Sequence, residues 1–241
     1  MTFLFVSDLH LDPSEPGIAA QFIEFLAGEA RSARALYVLG DLFEAWLGDD
    51  DPEPAHAMVA AALESLSSSG VAVFLMQGNR DVMLGERFAG HAGATLLPDP
   101  VITEIHGERV LITHGDALCT DDASYQRLRS LLRDPDIHGR LARLPIDSRR
   151  ALASEARAGS RDHVAHTAYE VMDVNADAVA SVLRASGASV LLHGHTHRPA
   201  IHELRVDGRA CRRIVLGDWH AHGSVLRWDA KGPRLEVLPR G

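Results

Sequence analysis

Five short words carry the residues that could do chemistry: Asp8-Leu9-His10, Gly40-Asp41, Gly78-Asn79-Arg80-Asp81, His114-Gly115-Asp116 and Gly194-His195-Thr196-His197. They offer Asp8, His10, Asp41, Asn79, His114, His195 and His197 as donors. A single His-x-His would be weak evidence in a chain with 14 histidines. The set is stronger, because carboxylate, carboxamide and imidazole together suit divalent ions. Seven donors exceed one tetrahedral site and fit two octahedral-like ions with water filling the gaps. The mixture favours manganese or iron, with zinc open, over magnesium or calcium. Two ions ~3.5–4 Å apart activate water and neutralise a phosphoryl oxygen. Asp41 is the expected bridging carboxylate. No covalent nucleophile is expected. Arg80 stays charged and cannot act as an acid near neutral pH, but it can clamp phosphate oxygens.

Strand ends must position these words. Apolar runs precede each one: Phe3–Ser7, Ala35–Leu39, Val71–Met76, Arg109–Thr113 and Ser189–Leu192. Such runs read as buried strands, and functional loops gather at strand ends in α/β folds. Four of the five words carry glycine at or beside a donor, and Gly194 is read as letting the chain turn. The triple acid Asp49-Asp50-Asp51 reads as a solvated loop before a helix over 54–68. Another helix is expected over 17–31, a hairpin over 101–113, and short strands over 200–206, 212–216 and 225–228. Residues from about 120 to 185 are rich in Ala, Arg and Leu and read as helices divided by Pro135 and Pro145. This region is an insertion within one domain spanning 1–241, since donor words flank it.

The net charge of -9 argues against general nucleic-acid binding. It is unevenly spread. From Arg127 to Arg161 nine arginines face four acids, about +5 locally, leaving about -14 for the rest. Such a stretch suggests an anionic partner or a solvated helical face. Cys119 and Cys211 form no C-x-x-C pattern, so neither a disulfide framework nor a zinc knuckle is expected, and a reducing cytosol is the default. No leader peptide and no membrane-spanning run are expected. His56, His91, His106, His138, His202, His220 and His222 belong to no word and read as surface or structural residues.

The five words in order resemble the calcineurin-like metallophosphoesterase superfamily (D-x-H, G-D, G-N-[HR], H-G, G-H-x-H). That resemblance implies an α/β fold: a two-sheet β-sandwich flanked by helices, here with a helical cap insertion. Many members read Gly-Asn-His, where the histidine protonates the leaving group. Arg80 stands there instead and favours cleavage of a diphosphate, whose leaving phosphate monoester needs little protonation.

Longer words narrow the resemblance. Leu39–Asp50, Gly78–Asp81, His114–Asp122, Met172–Asn175 and His193–Leu204 are similar to the UDP-2,3-diacylglucosamine hydrolase (pyrophosphatase) family of the lipid A pathway. The family implies two Mn2+ ions, with His197 joining Asp8, His10 and Asp41, and His195 joining Asp41, Asn79 and His114. It implies release of UMP and 2,3-diacylglucosamine 1-phosphate by water attack at the UMP-side phosphorus. It also implies a cap that holds acyl chains, and peripheral work on the anionic cytoplasmic face of the inner membrane, with no obligate protein partner. Substrate contacts carried over are Asn79, Arg80, Asp122, Ser160, Thr167 and His195. Val164 and Thr167 depart from the family's usual asparagine and lysine; Arg161, His163 and His166 stand nearby. Other readings within the superfamily are a cyclic-nucleotide phosphodiesterase or a soluble nucleotide-diphosphate-sugar hydrolase. Outside enzymes, the competing reading is a binding scaffold that kept the fold and lost the chemistry.

Overall fold

The structure, a computed structural model, describes residues 1–166 and 172–240, with side chains given outside 160–166. Two sheets lie face to face. The first has six strands: β1 (Phe3–Val6), β2 (Ala35–Leu39), β3 (Ala72–Met76), β4 (Thr95–Leu97), β10 (Gly223–Asp229) and β11 (Gly232–Leu238), in the order β11-β10-β1-β2-β3-β4. The second has β5 (Val101–Ile105), β6 (Glu108–Ile112), β7 (Val190–His193), β8 (Ala200–Val206) and β9 (Arg209–Val215), in the order β5-β6-β7-β9-β8.

Period-two alternation builds the layers. In β1, Leu4 and Val6 face the helices α1 (Pro16–Ala27) and α2 (Pro54–Ser68), while Phe5 faces the second sheet. In β2, Leu36 and Val38 take the helix side; Tyr37 and Leu39 take the inter-sheet side. In β7, Val190 and Leu192 join the inter-sheet core, and Leu191 packs beneath α7 (Ala176–Ser186) with Leu183. Strands buried on both faces read as continuous apolar runs, which is why their presence was visible in the sequence.

β1, β2 and β3 run parallel, as do β6, β7 and β9. Their carboxyl ends carry all five donor words. Among the described residues, helices α4 (Ala123–Leu132), α5 (Pro135–Leu141), α6 (Ile146–His166) and α7 lie in the stretch expected to be an insertion. Pro135 opens α5 and Pro145 immediately precedes α6, so the two prolines do divide it. The first expected helix ends earlier, at Ala27, because Gly28 breaks it before a 3-10 turn over Glu29–Ser32. Three elements had no distinct sequence signal: α3 (Glu86–His91), β4 and β11. The first two are too short to show a period. β11 carries Gly232 and Pro233 at its start and pairs at the sheet edge, where proline is tolerated. Cys119 and Cys211 are buried free thiols.

Candidate metal centre

Backbone bonds stitch the loops together. Asp8 N donates to Gly40 O, His10 N to Asp41 O, and Gly194 N to His114 O. Five of the seven donor residues sit at positive φ: Asp8 at 54°, His10 at 50°, Asp41 at 51°, His195 at 66° and His197 at 55°. Side chains rarely adopt this left-handed region, and each case costs about 1 kcal/mol or more. The strain aims successive side chains inward from very short loops. The glycines make room instead. A Cβ on Gly78 would lie 2.1 Å from Asp41 Oδ1, and one on Gly194 would lie 2.4 Å from Asp8 Oδ2. Gly194 therefore provides space for Asp8, and the sharp turn falls on the two histidines flanking Thr196.

The donors converge. Asp41 Oδ2 is 3.8 Å from His10 Nε2, and its Oδ1 is 3.8 Å from His114 Nε2. One carboxylate thus faces both halves of the site. His197 Nε2 lies 3.3 Å from Asp8 Oδ1 and 3.3 Å from His10 Nε2. On the other side, Asn79 Oδ1 lies 3.0 Å from His114 Nε2 and 2.8 Å from His195 Nδ1. Asp8, His10 and Asp41 are all buried. Asp8 is held by Ser7 Oγ at 2.5 Å and by the His195 N–H at 2.9 Å.

Each outward ring nitrogen has an acceptor that fixes the tautomer. His10 Nδ1 donates to Glu44 Oε2 at 2.9 Å, and His114 Nδ1 to Leu39 O at 2.9 Å. His197 Nδ1 lies 3.4 Å from Asp218 Oδ2. All three then turn Nε2 toward the site, as metal-ligating histidines do. The charge pattern agrees. Burial pulls His114 down, but Asp41, Asp8 and Asp116 override it and lift it to about 9. Burial also opposes His197, yet Asp218 and Asp8 raise it to about 10. His195 falls to about 4, from burial first and then the His114 charge. Burial works against Asp8 as an anion, but His197 prevails and its carboxyl stays well below the usual range. A dense buried set of carboxylates facing Nε2-directed imidazoles fits divalent cations, and the paired His10 and His197 nitrogens are the clearest sign of a shared ligand.

A profile of the calcineurin-like phosphoesterase family matches residues 1–199. The chain belongs to the calcineurin-like phosphoesterases. Two curated relatives of this phosphoesterase, from Escherichia coli O81 (strain ED1a) and O17:K52:H18 (strain UMN026 / ExPEC), are named UDP-2,3-diacylglucosamine hydrolase. Each is 48% identical over 239 residues, covering 99% of this chain and 100% of its own. Among solved structures, an archaeal phosphodiesterase aligns with a TM-score of 0.48 at 14% identity, covering 99% of this chain and 100% of that one. The calcineurin-like family is metal-dependent, and candidate metal-binding residues cluster in this phosphoesterase.

The other expected contacts are placed as follows. Arg80 is half-buried at the site's edge, its backbone N–H donating to Asp41 Oδ1 at 2.8 Å. Its charge helps lower Glu44, where burial pulls the other way. Asp122 is buried and caps α4, accepting from the Tyr125 N–H at 2.9 Å and from Ser124 Oγ at 2.8 Å. The Ser160 side chain and Thr167 lie outside the described residues, as do the side chains of Arg161, His163, Val164 and His166.

Several residues of this phosphoesterase were not singled out by spacing. Glu44 and Asp218 orient His10 and His197. Asp81 is fully buried and accepts from Gly78 N, Leu42 N and Asp41 N, at 2.7, 2.8 and 3.2 Å, locking two loops together. Burial and the neighbouring Asp41 push its carboxyl up to about 6. The Tyr125 ring leans over His195 with centroids 5.6 Å apart, and its hydroxyl donates to Asp116 Oδ2 at 3.3 Å. Only the presence of Asp81 beside Asn79-Arg80 gave a sequence signal. The acids at 49–51 are structural: Asp49 caps α3 through Arg87 N and Phe88 N, and Asp50 pairs with Arg149. His56 packs in an aromatic cluster with Phe43 and Trp46, as expected of a structural histidine.

Proposed function

We propose that this protein hydrolyses the diphosphate bond of UDP-2,3-diacylglucosamine, releasing UMP and 2,3-diacylglucosamine 1-phosphate. The full-length 48% identity to relatives bearing that name carries the reading. In it, Asp8, His10, Asp41 and His197 hold one ion, and Asp41, Asn79, His114 and His195 hold the other; manganese is the ion proposed. When bound, the ions make water nucleophilic near neutral pH and neutralise charge on phosphoryl oxygens. The chain's own residues do the rest. Arg80 clamps the diphosphate and supplies no proton. The departing group is a sugar 1-phosphate, already a weak base, so the missing acid costs little. Asn79 and His195 border the same space, and Asp122, Ser160 and Thr167 are proposed to contact the substrate.

Residues of about 120–185 are read as a cap over this centre within a single domain. Leu128 and Leu131 on α4, Leu152 on α6 and Leu144 between α5 and α6 are exposed, which supports an apolar surface for acyl chains. Three of the nine arginines from Arg127 to Arg161 serve internal contacts, Arg129 and Arg133 with Asp116 and Arg149 with Asp50, while Arg150 makes an exposed pair with Asp147 on its own helix. Arg140 and Arg143 line a surface depression with Pro135, Asp136 and Gly139, and suit anionic head groups better. No helix among the described residues is long and apolar enough to cross a membrane. Peripheral work on the cytoplasmic face of the inner membrane is the location proposed.

One assay tests the reading. With manganese present, UDP-2,3-diacylglucosamine is expected to turn over far faster than a de-acylated UDP-sugar or a generic phosphodiester, and Asp41→Ala to abolish turnover. Equal rates on all three substrates would defeat the lipid assignment.

A further inference from the structure

His220, an exposed residue outside the five donor words, shares the space of the proposed centre. Its ring stacks on His10, with centroids 5.3 Å and planes 8° apart, and lies 6.1 Å from the His197 ring. One ring nitrogen from each of His10, His197 and His220 lies within 4.8 Å of the other two. Two donors about 2.1 Å from one ion and at right angles stand about 3 Å apart; His10 Nε2 and His197 Nε2 stand 3.3 Å apart.

The loop that carries His220 is built rather than loose. Trp219 beside it is fully buried, and its N–H donates to Asp8 O at 3.2 Å. Arg240 donates to Trp219 O at 2.9 Å and to His220 O at 3.1 Å. Asp218 divides its two oxygens: Oδ1 accepts the His220 N–H at 3.0 Å, while Oδ2 faces His197 Nδ1 at 3.4 Å. One carboxylate thereby sets both His197 and His220.

We propose that His220 is a further imidazole donor to the ion that Asp8, His10, Asp41 and His197 would hold, presented from the solvent side. The proposal rests on the reading of those four residues as a metal site. An additional imidazole shifts that position toward zinc, iron and nickel and away from magnesium and calcium. Because His220 is exposed, it is the donor that can swing away from the ion without disturbing the buried ones.

Two variants separate donation from stacking. His220→Phe keeps a flat ring against His10 and removes the nitrogen; His220→Ala removes both. Metal-free protein is titrated with Co2+ against a chelator, and the visible spectrum of the bound ion is recorded. Both variants are expected to weaken one of the bound ions about 10-fold or more and to alter its spectrum. A His220→Phe protein matching the unaltered one in affinity and spectrum would overturn the proposal, whatever His220→Ala does. Asp8→Ala serves as the reference. If it and the unaltered protein bind Co2+ alike, the metal-site reading itself fails and takes this inference with it.

Discussion

Glu44 Oε2 lies 2.9 Å from His10 Nδ1, and that contact decides which nitrogen His10 turns toward Asp41. Glu44 follows Phe43, which bridges to Leu11 across the two loops, so the carboxylate is delivered by backbone pairing as well as by its own length. Glu44→Ala is expected to weaken metal binding about 10–100-fold, the usual loss when such an outer partner is removed. Glu44→Gln, which keeps an acceptor, is expected to lose less. Titration calorimetry with Mn2+ reads both.

Metal uptake is expected to release protons. Without ions, His114 holds its proton to about 9 and His197 to about 10, and neither can donate to a cation while protonated. Apparent affinity therefore rises with pH up to that range. Calorimetry in buffers of different ionisation heats counts the protons released. The stability of the metal-free protein moves the other way. Both histidines are raised above their ordinary 6.5. Their contribution is complete below about 6.5 and is lost as pH climbs through 9 and 10. Denaturant melts of metal-free protein across pH 7–10 are expected to show falling midpoints from these groups.

Gly78 leaves no space for a methyl group. An added Cβ would meet Asp41 Oδ1 at 2.1 Å and Asp41 N at 2.3 Å, and the second is backbone that cannot swing aside. Gly78→Ala is expected to cut activity by at least ~100-fold, because a displacement of about 1 Å at a reacting centre has that effect. A steady-state assay alongside a thermal melt separates this loss from global unfolding.

Arg80 is proposed to set the kind of leaving group. Arg80→His restores a side chain able to protonate an alkoxide and removes a fixed positive charge. Turnover of UDP-2,3-diacylglucosamine is expected to fall while that of a phosphodiester with an alkyl leaving group rises. The ratio of kcat/KM for the two substrates is the measurement, and an unchanged ratio would contradict the role given to Arg80.

Arg149 fastens the start of α6 to the loop after Leu47. Its guanidinium donates to Leu47 O at 2.6 Å and to Asp50 Oδ1 at 2.7 Å, and the side chain is 5% exposed. Arg149→Ala is expected to cost about 1–2 kcal/mol through the unmet acceptors. It should also speed proteolysis within the described part of α6, with Mn2+ affinity unchanged. Limited proteolysis with mass spectrometry locates the cut.

The sequence by itself determined the strands and the candidate donors. Strands buried on both faces must be apolar throughout, and short loops at their ends left Asp8, His10, Asp41, Asn79, His114, His195 and His197 in recognisable words. Those words are local: each needs only a few neighbours, so spacing reveals them. The helices at 54–68 and on either side of Pro135 and Pro145 were legible for the same reason. What tertiary structure decided is everything that joins residues distant along the chain. Glu44 reaches His10, Asp218 reaches His197 across a different loop, and His220 stacks on a residue 210 positions away. Gly194 read as a turn residue, yet only the fold shows that its missing side chain is the space Asp8 occupies. The arginine-rich stretch looked like one basic surface, but folding turned Arg129, Arg133 and Arg149 toward acids outside it, Asp116 and Asp50. One-dimensional spacing records which loops carry donors. Which carboxylate orients which imidazole depends on how two sheets meet, and no local pattern encodes that.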